Sequence, residues 1–376
     1  MAAKSAPYGT REDARPLDER GSRESGGRAD AKLTRGRTAQ KPEDIPAKGW
    51  WDITWRVFKR IGTDNVTLVS GGLAMYALLS VFPGLAAAVS IYGMFATPGD
   101  VIKHMSAFAG VLPPGVWDIF QSQLQSITQH EQSTLSIAAV MGVLIALWSA
   151  RSAMSALMTA TNVAYGEREK RSFVRQVLTS LVLTVGAVVG FLAMLALGIV
   201  IPVALKVIGL SNPAQWAADL VQWALLWAFA AVGLAFVYRY APARQPARWR
   251  WVSWGSAIAA TLWLGASALF AIYVRTFAHY GQTYGALGGV IALLMWFYVS
   301  SLIVVVGAEI NAEMERQTEK DTTEGPSAPL GERGAYAADT VGPAAKEGGD
   351  PHKDVSSGHK DVNGGRAKSP SKLAQQ

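Results

Sequence analysis

The chain has no cysteine, which excludes disulfides, thiol nucleophiles and thiolate metal sites. It is also poor in histidine. His104, His130, His279, His352 and His359 stand apart from one another without His-x-His or His-x-x-x-His spacing, so the sequence offers no ligand set for a metal and no catalytic centre. Charged residues make up 17% of the chain and crowd toward its two ends, while half of all residues are hydrophobic; the middle is therefore far more apolar than the average. No short apolar core lies between a basic start and a small-residue cleavage site, so a removable signal peptide is not expected. The net charge of +7 could suit nucleic acid, but the basic residues lie beside the apolar runs, where Lys and Arg act as orientation signals; no nucleic-acid partner and no cofactor are expected.

What the chain does have is long uncharged runs. Gly285 to Ala308 carries no charge for 24 residues, roughly 36 Å of helix at about 1.5 Å per residue, enough to cross a hydrocarbon core of about 30 Å. Val66 to Phe95 is a second such run, interrupted by Pro83 and Gly84, where a kink or break of the helix is expected. A third begins near Thr134, and its helical pattern continues past Arg151 to Gly166. Because about 20 residues separate Glu131 from Arg151, roughly 30 Å of helix, Arg151 is expected at the far interface. Further spans are expected over 176–205, with Gly186 and Gly190 allowing close helix approach, over 216–238, and over 251–274 behind a belt of Trp249, Trp251 and Trp254. The expectation is an all-α, polytopic membrane bundle of six transmembrane helices.

Ahead of the first span, residues 50–65 gather Trp51, Trp55, Phe58 and Ile61 on one side of a helix and Asp52, Arg56, Lys59 and Arg60 on the other. This pattern fits a helix lying on the membrane surface or one packed against the end of the bundle. The connection 97–132 carries two short amphipathic helical patterns expected on the outer face. Lys and Arg alternate between the connections: four follow each of spans two and four, and one follows each of spans one, three and five, so both termini are expected in the cytoplasm. Residues 1–49 and 316–376 are rich in Gly, Pro and mixed charge and read as disordered tails around a membrane domain of residues 50–315.

Three stretches together carry a resemblance: GGLAMYALLSVFPGL in the first span; ALWSARSAMSALMTATNVAYGEREKRSF at the end of the second; and YRYAP followed by TYGALGGVIALLMWFYVSSLIVVVGAEINAE. The chain resembles the YihY/BrkB family of bacterial inner-membrane proteins, which has also carried the label ribonuclease BN. The resemblance implies a multi-pass protein of the bacterial inner membrane that moves lipid-related or amphiphilic molecules, with one branch of the family linked to serum resistance. The alternative is a non-transporting structural or adaptor protein of the cell envelope. Ribonuclease activity is not expected, since the ligands for it are missing.

Function is expected where polar groups close the spans. Asn162 and Tyr165 end the second; Glu309, Asn311 and Glu313 end the sixth; by the topology both groups lie at one membrane face. Carboxylates at a helix C-terminus are opposed by the helix dipole, so a cationic partner is expected, with Arg151 or the 168–175 cluster nearest in depth. Two readings follow for Glu309 and Asn311: a salt bridge that pins the sixth span to the second, or part of a cytoplasmic gate or headgroup site whose outer end is marked by Tyr284 and Gly285.

Overall fold

A computed structural model describes residues 33–93, 132–208, 212–276 and 286–345. The two outer amphipathic helices expected over 97–132, Tyr284, Gly285 and the five histidines lie outside the described residues. The described chain is all helical, with a single isolated antiparallel bridge, Ala247 to Thr323. After a 3-10 turn at Pro42–Asp44 come α1 (Ala47–Thr63), α2 (Val66–Gly93), α3 (Gln132–Tyr165), α4 (Phe173–Ile208), α5 (Asn212–Tyr240), α6 (Trp249–Thr276), α7 (Ala286–Glu315) and the short α8 (Tyr336–Asp339). The chain divides into two compact units, Met1–Gly342, which holds all of these helices, and Pro343–Gln376.

Helices α2 to α7 contact one another in a closed ring in chain order, α7 returning to α2 and also touching α3. Apart from the closure of α7 on α2, ring neighbours are chain neighbours, as is usual for sequential antiparallel helices. Among the described residues, four helices are long and apolar enough to cross a membrane, or five if the bent pair of α1 and α2 counts as one broken span. In each of the four, only 11% of the most apolar window is buried inside the protein. A water-soluble bundle would hide such surface. Here Val182, Val189, Phe191, Trp223 and Leu269 point outward, which is what a hydrocarbon solvent permits and water does not. Gly186 has no neighbour near its missing side chain and Gly190 meets only Phe229, so the spacing expected to draw helices together seats just one aromatic ring.

The helix does not break at Pro83. Helix α2 runs unbroken from Val66 to Gly93 with the proline inside it. A proline removes one backbone hydrogen bond, whereas a break within lipid would strand several backbone groups where no water can reach them. The bend comes earlier: α1 meets the first part of α2 at 66°. Asn65 makes that turn with a φ of 51°, a left-handed conformation that asparagine tolerates better than most residues.

Helix α1 turns its charges inward. Asp52 and Arg56 are 1% and 3% exposed, against 66% for Trp51 and 80% for Phe58. Ile53 and Val57 are buried on the same side, so the helix packs against the end of the bundle and leaves Trp51 and Phe58 facing out.

Packed structure also extends beyond the expected membrane domain. Residues 33–46 and 316–342, assigned from composition to the tails, clasp one another at one end of the bundle. The Thr318 hydroxyl donates to the Ala39 carbonyl at 2.6 Å, the Gln317 amide to Arg35 O at 2.6 Å, and Glu319 N to Arg37 O at 2.8 Å. The Arg333 guanidinium gathers the second arm by donating to the carbonyls of Glu319, Lys320, Ala328 and Ala338. These contacts are polar and largely to backbone, so they leave no hydrophobic periodicity for a composition argument to find.

Candidate functional site at the charged end of the bundle

The last two turns of α7 alternate between two jobs. Ala308 and Ala312 pack in the core with Ile53, Val57, Tyr238, Trp251 and Val252, while Glu309, Asn311, Glu313, Glu315 and Gln317 are all fully buried polar groups. Buried carboxylates persist only when paired and hydrogen-bonded. Each of these has its cation.

Glu313 lies at the centre. Arg56 donates to it through Nε, and Arg56 Nη2 donates to Glu313 O at 2.9 Å and to Gln317 Oε1 at 2.8 Å. Arg60 Nη1 reaches Glu313 Oε1 at 3.1 Å and Arg316 Nη1 reaches it at 2.7 Å. Arg60 also binds Asp64 and places its Nε 3.1 Å from Glu309 Oε2. Three guanidiniums thus meet three carboxylates, a formal balance of charge: Arg56, Arg60 and Arg316 against Asp64, Glu309 and Glu313. Glu309 is the least engaged member. Its contact with Arg60 is an ion pair whose angle does not make a hydrogen bond, and neither oxygen accepts one.

Asn311 joins α7 to α6. Its Oδ1 accepts from Gly255 N at 2.9 Å and its Nδ2 donates to Val252 O at 3.2 Å. Gly255 has to be glycine for this contact, because a Cβ would lie 2.7 Å from the Gly307 carbonyl and inside the Asn311 side chain. One turn deeper, Tyr238 of α5 donates its hydroxyl to Val304 O at 2.8 Å, over Gly307.

The polar ends of α3 and α7 do come together, through a residue not foreseen. Arg244, in the turn between α5 and α6, binds both oxygens of Glu315 at 2.7 and 2.9 Å and stacks 4.7 Å from the Tyr165 ring. Thr322 also donates to Glu315 at 2.8 Å. Asn162 holds the same turn: its Oδ1 accepts from Ala243 N at 2.7 Å, and its Nδ2 donates to Glu169 at 3.2 Å. In the loop after α3, the Arg171 hydrogen bond to Glu169 holds that carboxyl below the usual carboxylate range.

The cation expected beside Glu309 is elsewhere. Arg151 is not its partner: its guanidinium lies 4.5 Å from the Trp148 ring, it makes no ion pair among the described residues, and its Nε is enclosed without a hydrogen-bond partner. Nor does the 168–175 cluster serve, since Arg171 pairs with Glu169 and Lys170 with Glu167. The partners are Arg56, Arg60 and Arg316. Arg56 and Arg60 were legible as a charged stripe at i,i+4 on α1, but nothing in a single sequence signals a pairing across 257 positions.

Arg151 stands well inside α3. It lies nineteen residues after Gln132 and fourteen before Tyr165, about 28 and 21 Å along an unbroken helix.

A model of the family described as Virulence factor BrkB matches residues 57–331. The chain is 34% identical over 258 residues to the ribonuclease-like protein YfkH of Bacillus subtilis (strain 168), covering 66% of this chain and 90% of that protein. It is 26% identical over 265 residues to the UPF0761 membrane protein IL2447 of Idiomarina loihiensis, covering 68% and 88%. To a UPF0761 membrane protein of Klebsiella pneumoniae subsp. pneumoniae it is 25% identical over 303 residues, covering 75% and 95%. No solved structure matches the chain. Among the described residues no group of three or more His, Cys, Asp or Glu is placed to hold a metal ion.

Proposed function

The chain belongs to the BrkB virulence-factor family of multi-spanning membrane proteins, and from that premise we propose that it is a non-enzymatic transporter or exporter of lipid-related or amphiphilic molecules in the bacterial inner membrane, with six spans and both termini in the cytoplasm. The observation that carries this reading is the closure of one end of a six-helix ring by a charge-balanced ion lattice. Arginines from α1, from the α5–α6 turn and from the end of α7 converge on carboxylates of a single helix. Such a lattice is a latch: it holds α7 to α1 and to the α5–α6 turn while its charges match, and its weakest link, Arg60 to Glu309, is also the deepest. Ion networks of this kind have discrete arrangements, which a gate requires. The carboxylates are engaged by arginine, which favours gating over hydrolysis as their role.

The ribonuclease-like description belongs to the Bacillus protein. A structural or adaptor role is the second reading, favoured by the clasped arms, which build a folded polar face on the end of the bundle.

The test is Glu309→Gln in protein reconstituted into vesicles, with movement of a labelled amphiphile compared with that in empty vesicles. A folded variant that moves the amphiphile at a changed rate supports the gate. Wild-type protein that moves none in any energised condition sinks the transport reading. Reporter fusions check the topology: position 170 is expected inside and position 125 outside.

A further inference from the structure

Among the described residues of the six long helices, Arg151 is the one charge more than ten residues from both ends of its helix. It shares a helix face with Met158, Asn162 and Tyr165, which follow at seven, eleven and fourteen residues. Met154 and Met158 beside it are buried against Leu183 of α4 and Val237 of α5, which closes the seam on that side. Leu144 and Trp148 on its other flank are exposed. The guanidinium therefore sits at the lip of a seam that is sealed toward the interhelical core and open toward the bilayer.

No described residue supplies it a counter-charge. No ion pair reaches it among the described residues, and its enclosed Nε has no acceptor. Asp219, the acidic residue on α5, is eighteen residues from Val237, while Arg151 is seven from Met158 of the same cluster; that is about 27 Å against about 10 Å of helix. Trp148 offers its ring face at 4.5 Å, which stabilises a cation but does not satisfy its N–H donors. An intramembrane arginine is costly to bury and is kept facing a partner or a pathway.

We propose that Arg151 binds the anionic headgroup of an amphiphile, a phosphate-bearing one, which enters sideways from the bilayer at the α3 lip with its acyl part along Leu144 and Trp148. Phosphate suits the planar guanidinium fork and supplies the missing acceptors. This rests on the transport reading and names its binding site.

The test titrates the purified full-length protein in neutral detergent with phosphatidylglycerol, phosphatidylcholine and inorganic phosphate, reading bound lipid by native mass spectrometry. Wild-type protein is expected to prefer phosphatidylglycerol by about tenfold, the worth of one charge-assisted pair. Arg151→Gln abolishes that preference, Arg151→Lys keeps part of it, and Lys170→Gln on the exposed loop leaves it unchanged. A preference that survives Arg151→Gln, or that falls equally with Lys170→Gln, overturns the site. Displacement of the lipid by millimolar inorganic phosphate overturns the headgroup assignment in favour of a free anion. Binding that depends on Arg151 without any movement of lipid in vesicles leaves the site standing and sinks transport. Movement that ignores Arg151→Gln does the reverse.

Discussion

At the residue scale, the closed end depends on Glu313 more than on any other carboxylate. It accepts from three arginines, and its removal takes a buried carboxylate from each of them. Glu313→Gln is expected to cost about 3 to 5 kcal/mol, the range for breaking a buried pair from one side, measured as unfolding in detergent. Glu309→Gln should cost much less, because Glu309 accepts no hydrogen bond. Glu169 gives a pH signature. Its carboxyl is held low in the folded state by Arg171, so the stability it contributes is complete above the usual carboxylate pKa and is lost as pH falls through the depressed folded value. Wild type should therefore be the more stable near neutrality, and the gap to Glu169→Gln should close as pH falls below about 5, the wild type falling more steeply.

At the scale of elements, α1 joins the charged end of α7 to an exposed aromatic stripe. Its inward stripe carries Arg56 and Arg60 to α7, and its outward stripe carries Trp51 and Phe58. The absence of native cysteine makes this directly testable by single-site spin labelling. A nitroxide at Phe58→Cys is expected to be quenched by oxygen dissolved in lipid and shielded from an aqueous nickel chelate. The opposite accessibility would place the aromatic stripe in water and remove the membrane-surface reading of α1. Pro83 shows the same solvent logic, since lipid around α2 makes a kept helix cheaper than an opened one.

At the scale of the whole molecule, the arms complete the latch. Gln317 binds Arg56 on one side and the Arg35 carbonyl on the other, and Arg37 donates to the Gly342 carbonyl at 2.6 Å. A chain cut to residues 33–345 is expected to match the full-length protein in thermal stability in detergent. One cut to residues 45–320 should insert but melt several degrees lower, because it loses these partners while keeping the charges they cover. Equal melting of the two would show that the arms are ornamental to the membrane core.

Sequence alone determined the class of this protein, because crossing a hydrocarbon layer needs uncharged runs of a set length, and such runs can be read one residue at a time. It also placed Asn162, Tyr165, Glu309 and Asn311 near the ends of long helices, where apolar runs give way to polar residues. The surroundings of Arg151 escaped it, because the ring it lies against and the enclosure of its Nε are products of packing. The partners of Glu313 and the ordering of the arms escaped it too. Ion pairs and backbone hydrogen bonds between distant segments have no period and no local spacing, and only the folded chain brings residues 56, 60, 244 and 316 to one end of one helix.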